Sequence, residues 1–253
     1  MNRAIMIVYL IVFIFGIIIG SFLNVCILRI PRKENIAIEP SHCMSCGERL
    51  RWYELIPLFS YLALGGRCRH CKTHISVQYP IIEALNGVFY LSIVMINGFN
   101  VDSLLYCLLT SALITLSVID WRTYEIPLGI NLFILTLGLI ETFIHWEDLM
   151  DHLIGLFAVS IFLELIVLFT KGRGMGGGDV RLMAVCGLFL GWKEIVLALF
   201  IGCIVGSVIH LIRMLAFGAD RRLAFGPYLA VGVFISMMWG QELITWYMSF
   251  FAV

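Results

Sequence analysis

The chain alternates between long apolar runs and short polar breaks, with one polar stretch far longer than the rest. Eight runs read as membrane helices: 4–28, 80–97, 103–119, 126–144, 151–170, 179–192, 194–214 and 225–250. A helix needs about 20 apolar residues to cross about 30 Å of hydrocarbon. The sixth run is short for that and reads as a tilted or broken element, which is tolerated where protein or a wet cavity covers the backbone. The long polar stretch, 29–79, reads as a small domain inserted between the first two helices. The pattern predicts an all-α polytopic membrane protein of about eight transmembrane helices. It divides into a first helix (1–28), a cytoplasmic loop domain (29–79) and a seven-helix membrane domain (80–253). The first run is followed rather than preceded by Arg29, Arg32 and Lys33, so it does not read as a cleaved signal peptide.

Composition sharpens this picture. Of 253 residues, 61% are hydrophobic and 13% are charged, against about 25% charged in a soluble chain. A soluble enzyme, a disordered chain and a nucleic-acid binder with a basic field are all excluded. Lys and Arg together number 17 and so do Asp and Glu, so the placement of charge carries the information. Loops facing the cytoplasm carry an excess of Lys and Arg. Arg29, Arg32, Lys33, Arg49, Arg51, Arg67, Arg69 and Lys72 fall in 29–79, and Arg122, Lys171, Arg173, Arg181, Arg213, Arg221 and Arg222 fall in alternate later loops. The opposite side holds only Arg3 and Lys193, with the acids Glu147, Asp148 and Asp151. The bias places the long loop in the cytoplasm and both termini outside.

Two aspartates interrupt the apolar pattern at helix ends. Asp120 lies in Val118-Ile119-Asp120-Trp121-Arg122 and Asp179 in Gly176-Gly177-Gly178-Asp179-Val180-Arg181. The topology puts both at the inner ends of their helices, the third and the sixth, and so at one depth. Two carboxylates sharing a site do not both ionise easily, so one holds a proton while the other acts as base. Such a pair can activate water against a peptide carbonyl and protonate the leaving amine. Gly176, Gly177 and Gly178 have no side chains, so an extended substrate backbone can approach them closely. Taken singly, Asp179 reads equally as a helix cap, and Asp120 as an interfacial anion beside Arg122. The spans also hold Glu83, Glu141, Glu164 and Glu242, and Glu164 sits mid-span with no basic partner in its own helix.

The inserted loop carries Cys43-Met44-Ser45-Cys46 and Cys68-Arg69-His70-Cys71, with 21 residues between the pairs. Four cysteines in two C-x-x-C pairs read as a closed tetrathiolate zinc site that holds a short loop together. A cytoplasmic location disfavours disulfides, and the strand–helix context of a redox C-x-x-C is absent. His42, His70 and His74 are reserve ligands. Cys26, Cys107, Cys186 and Cys203 fall in spans and read as small apolar core residues.

The joint set of motifs resembles the type IV prepilin leader peptidases, membrane aspartic proteases of the G-x-G-D class. The resemblance covers nearly the whole chain. It rests on Gly20-Ser21-Phe22-Leu23-Asn24-Val25 with Arg29-Ile30-Pro31, and on Trp52-Tyr53-Glu54-Leu55-Ile56-Pro57 through Gly65-Gly66-Arg67-Cys68-Arg69. Tyr79-Pro80 with Glu83, then Asp120, Arg122, Ile126 and Pro127, continue it. Gly176, Gly178 and Asp179, and finally Phe225-Gly226-Pro227-Tyr228, complete it. Arg181 stands where many members have Lys, which keeps the charge. The resemblance implies a bacterial inner-membrane enzyme with Asp120 and Asp179 as its catalytic pair. It implies cleavage of prepilin or pseudopilin leaders after a glycine on the cytoplasmic side. Because the full cysteine loop is present, it also implies N-methylation of the new terminus from S-adenosylmethionine, with Gly66 and Arg67 as candidates for that step. There is no Rossmann G-x-G-x-x-G after a strand, so no soluble-type methyltransferase domain is expected. A peptidase without methylation, a proton-coupled transporter and a zinc-stabilised adaptor are the competing readings. The transporter lacks paired halves with matching interrupted helices and leaves the cysteine loop unexplained.

Overall fold

The computed structural model describes residues 3–172, 175–218 and 223–250. Among the described residues the secondary structure is helical, and extended pairing is confined to two isolated bridges. The helices are α1 (Arg3–Arg29), α2 (Phe59–Ala63), α3 (Gln78–Asn97), α4 (Val101–Thr123), α5 (Leu128–Ile144), α6 (Leu149–Ala158), α7 (Ser160–Thr170), α8 (Gly177–Leu190), α9 (Trp192–Phe217) and α10 (Gly226–Ser249). Among the described residues six stretches are long and apolar enough to cross a membrane: α1, α3, α4, α9, α10, and α6 with α7 taken together. The remaining two of the eight expected spans are shorter. Helix α5 has 17 residues and α8 has 14. At 1.5 Å per residue, α8 reaches only about 21 Å. It stops because Gly191 takes φ +91, a left-handed turn open to glycine, and α9 begins at the next residue. Arg173, Arg221 and Arg222, which contribute to the charge bias, lie outside the described residues.

The chain divides into two compact units, Met1–Ser103 and Leu104–Val253. In the first, α1 packs along α3. Glycine makes the approach possible: a Cβ on Gly20 would lie 2.7 Å from the Glu83 Cα. Polar bonds fix the register, with Asn86 Nδ2 donating to the Gly16 carbonyl at 2.7 Å and Asn24 Nδ2 to the Tyr79 carbonyl at 3.2 Å.

In the second unit α8 is the central helix. Val180, Leu182, Met183, Val185, Cys186, Leu188 and Phe189 are all buried, so its apolar residues cover its whole circumference. Helices α5, α6, α7 and α9 pack against it, and α10 packs along α9. The α6–α8 crossing is close because Gly155 and Gly187 meet there; a Cβ on Gly155 would fall 2.2 Å from the Gly187 carbonyl oxygen. Glu164 lies exposed on α7.

Candidate active site and the cysteine knuckles

Asp120 sits near the C-terminal end of α4 and is only 5% exposed. Its Oδ2 accepts the Gly226 backbone N–H at 2.9 Å, and its carbonyl accepts the Tyr124 N–H at 2.8 Å. Gly226 is the first residue of α10, followed by Pro227. Free N–H groups at a helix start are natural partners for an anion. A Cβ on Gly226 would lie 2.8 Å from Asp120 Oδ2, so only glycine leaves this carboxylate its place.

Asp179 occupies the third position of α8 and is half-buried. Gly176, not Asp179, is the N-cap residue, with extended φ −80 and ψ 142. The Asp179 N–H donates to the Gly176 carbonyl at 3.2 Å. Its carboxylate stands near the Gly176 backbone N–H and close enough to Asp120 to feel its charge. Residues 59 apart in sequence are thus brought together within one unit. Gly178 packs against Ile126, where a Cβ would meet the Ile126 Cβ at 3.2 Å, while Gly177 has open space and is exposed along with Gly176. Gly178 is therefore fixed by packing within the fold, and the exposed pair is free on its outer side. Arg213 stacks over Trp121, 4.3 Å from the ring centre, beside the Asp120 turn.

The role of Gly226 was not legible in the sequence. Its signal was a Gly-Pro at a helix start, but the partner carboxylate is 106 residues away along the chain.

In the first unit the two C-x-x-C pairs fold into matching knuckles. Cys43 N–H donates to the Glu48 carbonyl at 2.9 Å and Gly47 N–H to the Cys43 carbonyl at 2.9 Å. In the second knuckle Cys68 N–H donates to the Thr73 carbonyl at 2.9 Å and Lys72 N–H to the Cys68 carbonyl at 3.0 Å. The residue after each second cysteine is left-handed, Gly47 at φ +72 and Lys72 at φ +58. Short antiparallel bridges, His42 with Arg49 and Arg67 with His74, close each knuckle. The four Sγ atoms lie within 4.8 Å of one another, and Cys43 and Cys71 are 3.8 Å apart. Zn–S bonds of about 2.3 Å in a tetrahedron require S···S edges of about 3.8 Å. The thiols are also biased electrostatically. The Thr73 hydroxyl and backbone pull Cys71 down to about 6, and backbone N–H groups of Cys46 and Ser45 pull Cys43 down. Cys46 goes up to about 12 despite the backbone N–H at Glu48, through desolvation and the crowding Cys43, Cys71 and Cys68 thiols. Negative charge gathered on packed sulfurs is what a bound cation relieves.

Gly66 is buried at φ +65, and a Cβ there would strike the Tyr61 hydroxyl at 2.8 Å. Arg67 is exposed. The 21 residues between the cysteine pairs contain a short helical turn, Trp52–Glu54, and α2.

Comparison with known proteins agrees with this layout. Residues 14–97 match the model of the bacterial peptidase A24 N-terminal domain, and residues 107–211 match the type IV leader peptidase family. A prepilin leader peptidase/N-methyltransferase of Pseudomonas putida is 33% identical, over 91% of this chain and 90% of its own. Proteins of the same name from Xanthomonas campestris and Legionella pneumophila are each 32% identical, over 93% and 96% of this chain and 92% and 95% of their own. The chain belongs to the type IV leader peptidase family. As a member of that family with six apolar stretches of crossing length among the described residues, it is an integral membrane protein. No solved structure gives a significant match.

Proposed function

We propose that this protein is a bifunctional membrane enzyme that cleaves the leader of type IV prepilins or pseudopilins after a glycine and N-methylates the new terminus. The observation that carries the peptidase reading is the approach of Asp120 on α4 to Asp179 on α8, with the Gly226 N–H holding one carboxylate. In this reading the pair shares one proton. The ionised member takes a proton from water as it attacks the scissile carbonyl, and the protonated member gives its proton to the leaving amine. The exposed backbone at Gly176 and Gly177, with Gly178 behind them, is the approach for an extended substrate.

Cys43, Cys46, Cys68 and Cys71 would hold one structural zinc ion; its chemistry is to bind four thiolates and lock the loop, leaving no open position for a reactant. S-adenosylmethionine, when bound, supplies the methyl group for the new amine. Cleavage precedes methylation because the amine does not exist before. Gly66 and Arg67 remain the proposed methylation residues of the loop.

The eight apolar runs enter the bacterial inner membrane, with residues 29–79 cytoplasmic and both termini outside. Support comes from the charge bias and from outward apolar side chains such as Phe15, Ile18, Phe162 and Phe169, which suit contact with lipid. The domain division into 1–28, 29–79 and 80–253 belongs to this reading.

The test is incubation of detergent-solubilised protein with a leader-bearing pilin, followed by a gel and by mass spectrometry of the mature N-terminus. The expected outcome is a shorter product that, with donor supplied, is heavier by one methyl, about 14 Da. Absence of cleavage would favour a carrier or adaptor, and cleavage without methylation would leave a peptidase alone.

A further inference from the structure

The first unit holds a cavity of about 470 Å³ that the peptidase chemistry does not use. That size lies in the range of small-molecule and cofactor sites, about 300–1,000 Å³. Its walls include Arg29 from α1, Tyr79 and Glu83 from α3, Glu54 and Tyr61 from the loop, and the cysteine knuckles.

Three of these residues are charged and more than nine-tenths buried: Glu54 at 9% exposed, Glu83 at 6% and Arg29 at 8%. Glu54 Oε2 accepts the Arg51 N–H at 2.8 Å, but Oε1 is buried with no hydrogen-bond partner. A buried carboxylate oxygen without a donor is costly, and Glu54 is one of the residues that line the cavity. Glu83 Oε2 accepts the Leu58 N–H at 2.8 Å, which ties the loop to α3. Arg29 donates to the carbonyls of Asn35 and Glu39 at 3.0 and 2.9 Å; these bonds satisfy N–H groups and leave its positive charge in place. The cavity therefore offers buried negative and positive groups together with two tyrosine rings.

We infer that this cavity is the methyl-donor site and that Glu54 is a donor-binding residue in it. The inference rests on the bifunctional reading above. S-adenosylmethionine fits the site by chemistry. It is of cofactor size, and its ribose hydroxyls and ammonium group are hydrogen-bond donors for a buried carboxylate. Its carboxylate suits a buried guanidinium, and its adenine suits an aromatic wall. The assignment also gives Gly66 a physical role. Gly66 does not line the cavity, but any side chain there would displace Tyr61, which does. Gly66 is thus a positioning residue, and the 21-residue gap between the cysteine pairs builds the wall that carries Glu54 and Tyr61.

The test is titration of S-adenosylhomocysteine, the spent donor, into the full-length protein in detergent, followed by calorimetry. Glu54→Gln keeps a carbonyl for the Arg51 N–H and removes the carboxylate charge. It is expected to melt like the wild type and bind at least about tenfold more weakly, the loss expected for a charged hydrogen bond. Wild-type binding that Glu54→Gln leaves unchanged overturns the site and spares the bifunctional reading. No binding by the wild type overturns both. Should the variant fail to fold, ultraviolet crosslinking of labelled S-adenosylmethionine to wild-type protein decides. Label mapped within residues 21–83 supports the site, and label confined to 104–253 refutes it.

Discussion

Gly226→Ala changes one hydrogen into a methyl beside the proposed catalytic pair. The new Cβ would stand 2.8 Å from Asp120 Oδ2 and 3.2 Å from its Cγ. Ordinary contact begins at 3.4 Å, so the carboxylate must retreat by about 0.6 Å or rotate off the Gly226 N–H. Displacement of about 1 Å at a reacting group can cost about 100-fold in rate. The expected loss in kcat is therefore about 30- to 100-fold, with KM nearly unchanged, because the substrate approach at Gly176 and Gly177 is untouched. Fold stability should hold. Gly226 is not among the positive-φ glycines, and Ala favours helix over Gly by up to about 1 kcal/mol. The assay is steady-state cleavage of a leader-bearing pilin, with a melting curve on the same sample. Gly129→Ala is the control, since a Cβ there meets nothing within 4 Å. Cleavage by Gly226→Ala within about twofold of wild type, far short of the expected loss, would refute the claim that this contact sets the Asp120 carboxylate.

Gly177→Ala meets no atom of the folded chain within 4 Å, so any effect on cleavage must come through the substrate. A several-fold rise in KM with kcat kept is expected, and an unchanged KM would remove Gly177 from the approach. Metal analysis should find about one zinc per chain by the four-thiolate rule. Cys43→Ser or Cys68→Ser should lose it and loosen residues 40–75, whereas a metal-free wild type with rapidly alkylated thiols would refute the site. Acidification should release the metal, because protons compete for the thiolates; retention through acid titration would contradict thiolate ligation. Gly66→Ala should reduce methylation more than cleavage, measured by mass spectrometry of the mature pilin, and an equal loss of both would count against a separate donor site.

Much of the helix plan was legible because membrane helices are bounded by charge. Helix α1 ends at Arg29, where the apolar run ends, and α3 fills the run at 80–97. The run at 151–170 looked continuous, yet it divides at Val159 into α6 and α7. Apart from Ser160 the neighbouring residues are apolar, Phe157 and Ala158 before the break and Ile161 and Phe162 after it, so hydropathy has little contrast there to report it. The sixth run was short for a span, and α8 is indeed a 14-residue helix buried on all sides. An enclosed helix needs apolar residues as much as a lipid-facing one does, which is why composition alone does not distinguish them. The aspartates stood out because each interrupts the apolar pattern at a helix end. The Gly226 contact and the unpartnered Glu54 oxygen did not, because both depend on distant chain segments folding together. The cysteine spacing pointed to a four-sulfur cluster, but the cavity beside it is a product of packing.

The central claim is that Asp120 and Asp179 act as one catalytic unit, and single substitutions test it most directly. Residues that act as a unit are not additive, so removing either should cost nearly as much as removing both. Asp120→Asn and Asp179→Asn keep the side-chain shape and remove the ionisable group. Each variant, inserted in membranes at wild-type levels and given a leader-bearing pilin, should show no cleavage, and the double variant should be no worse than either. Near-wild-type cleavage by either single variant would contradict the account.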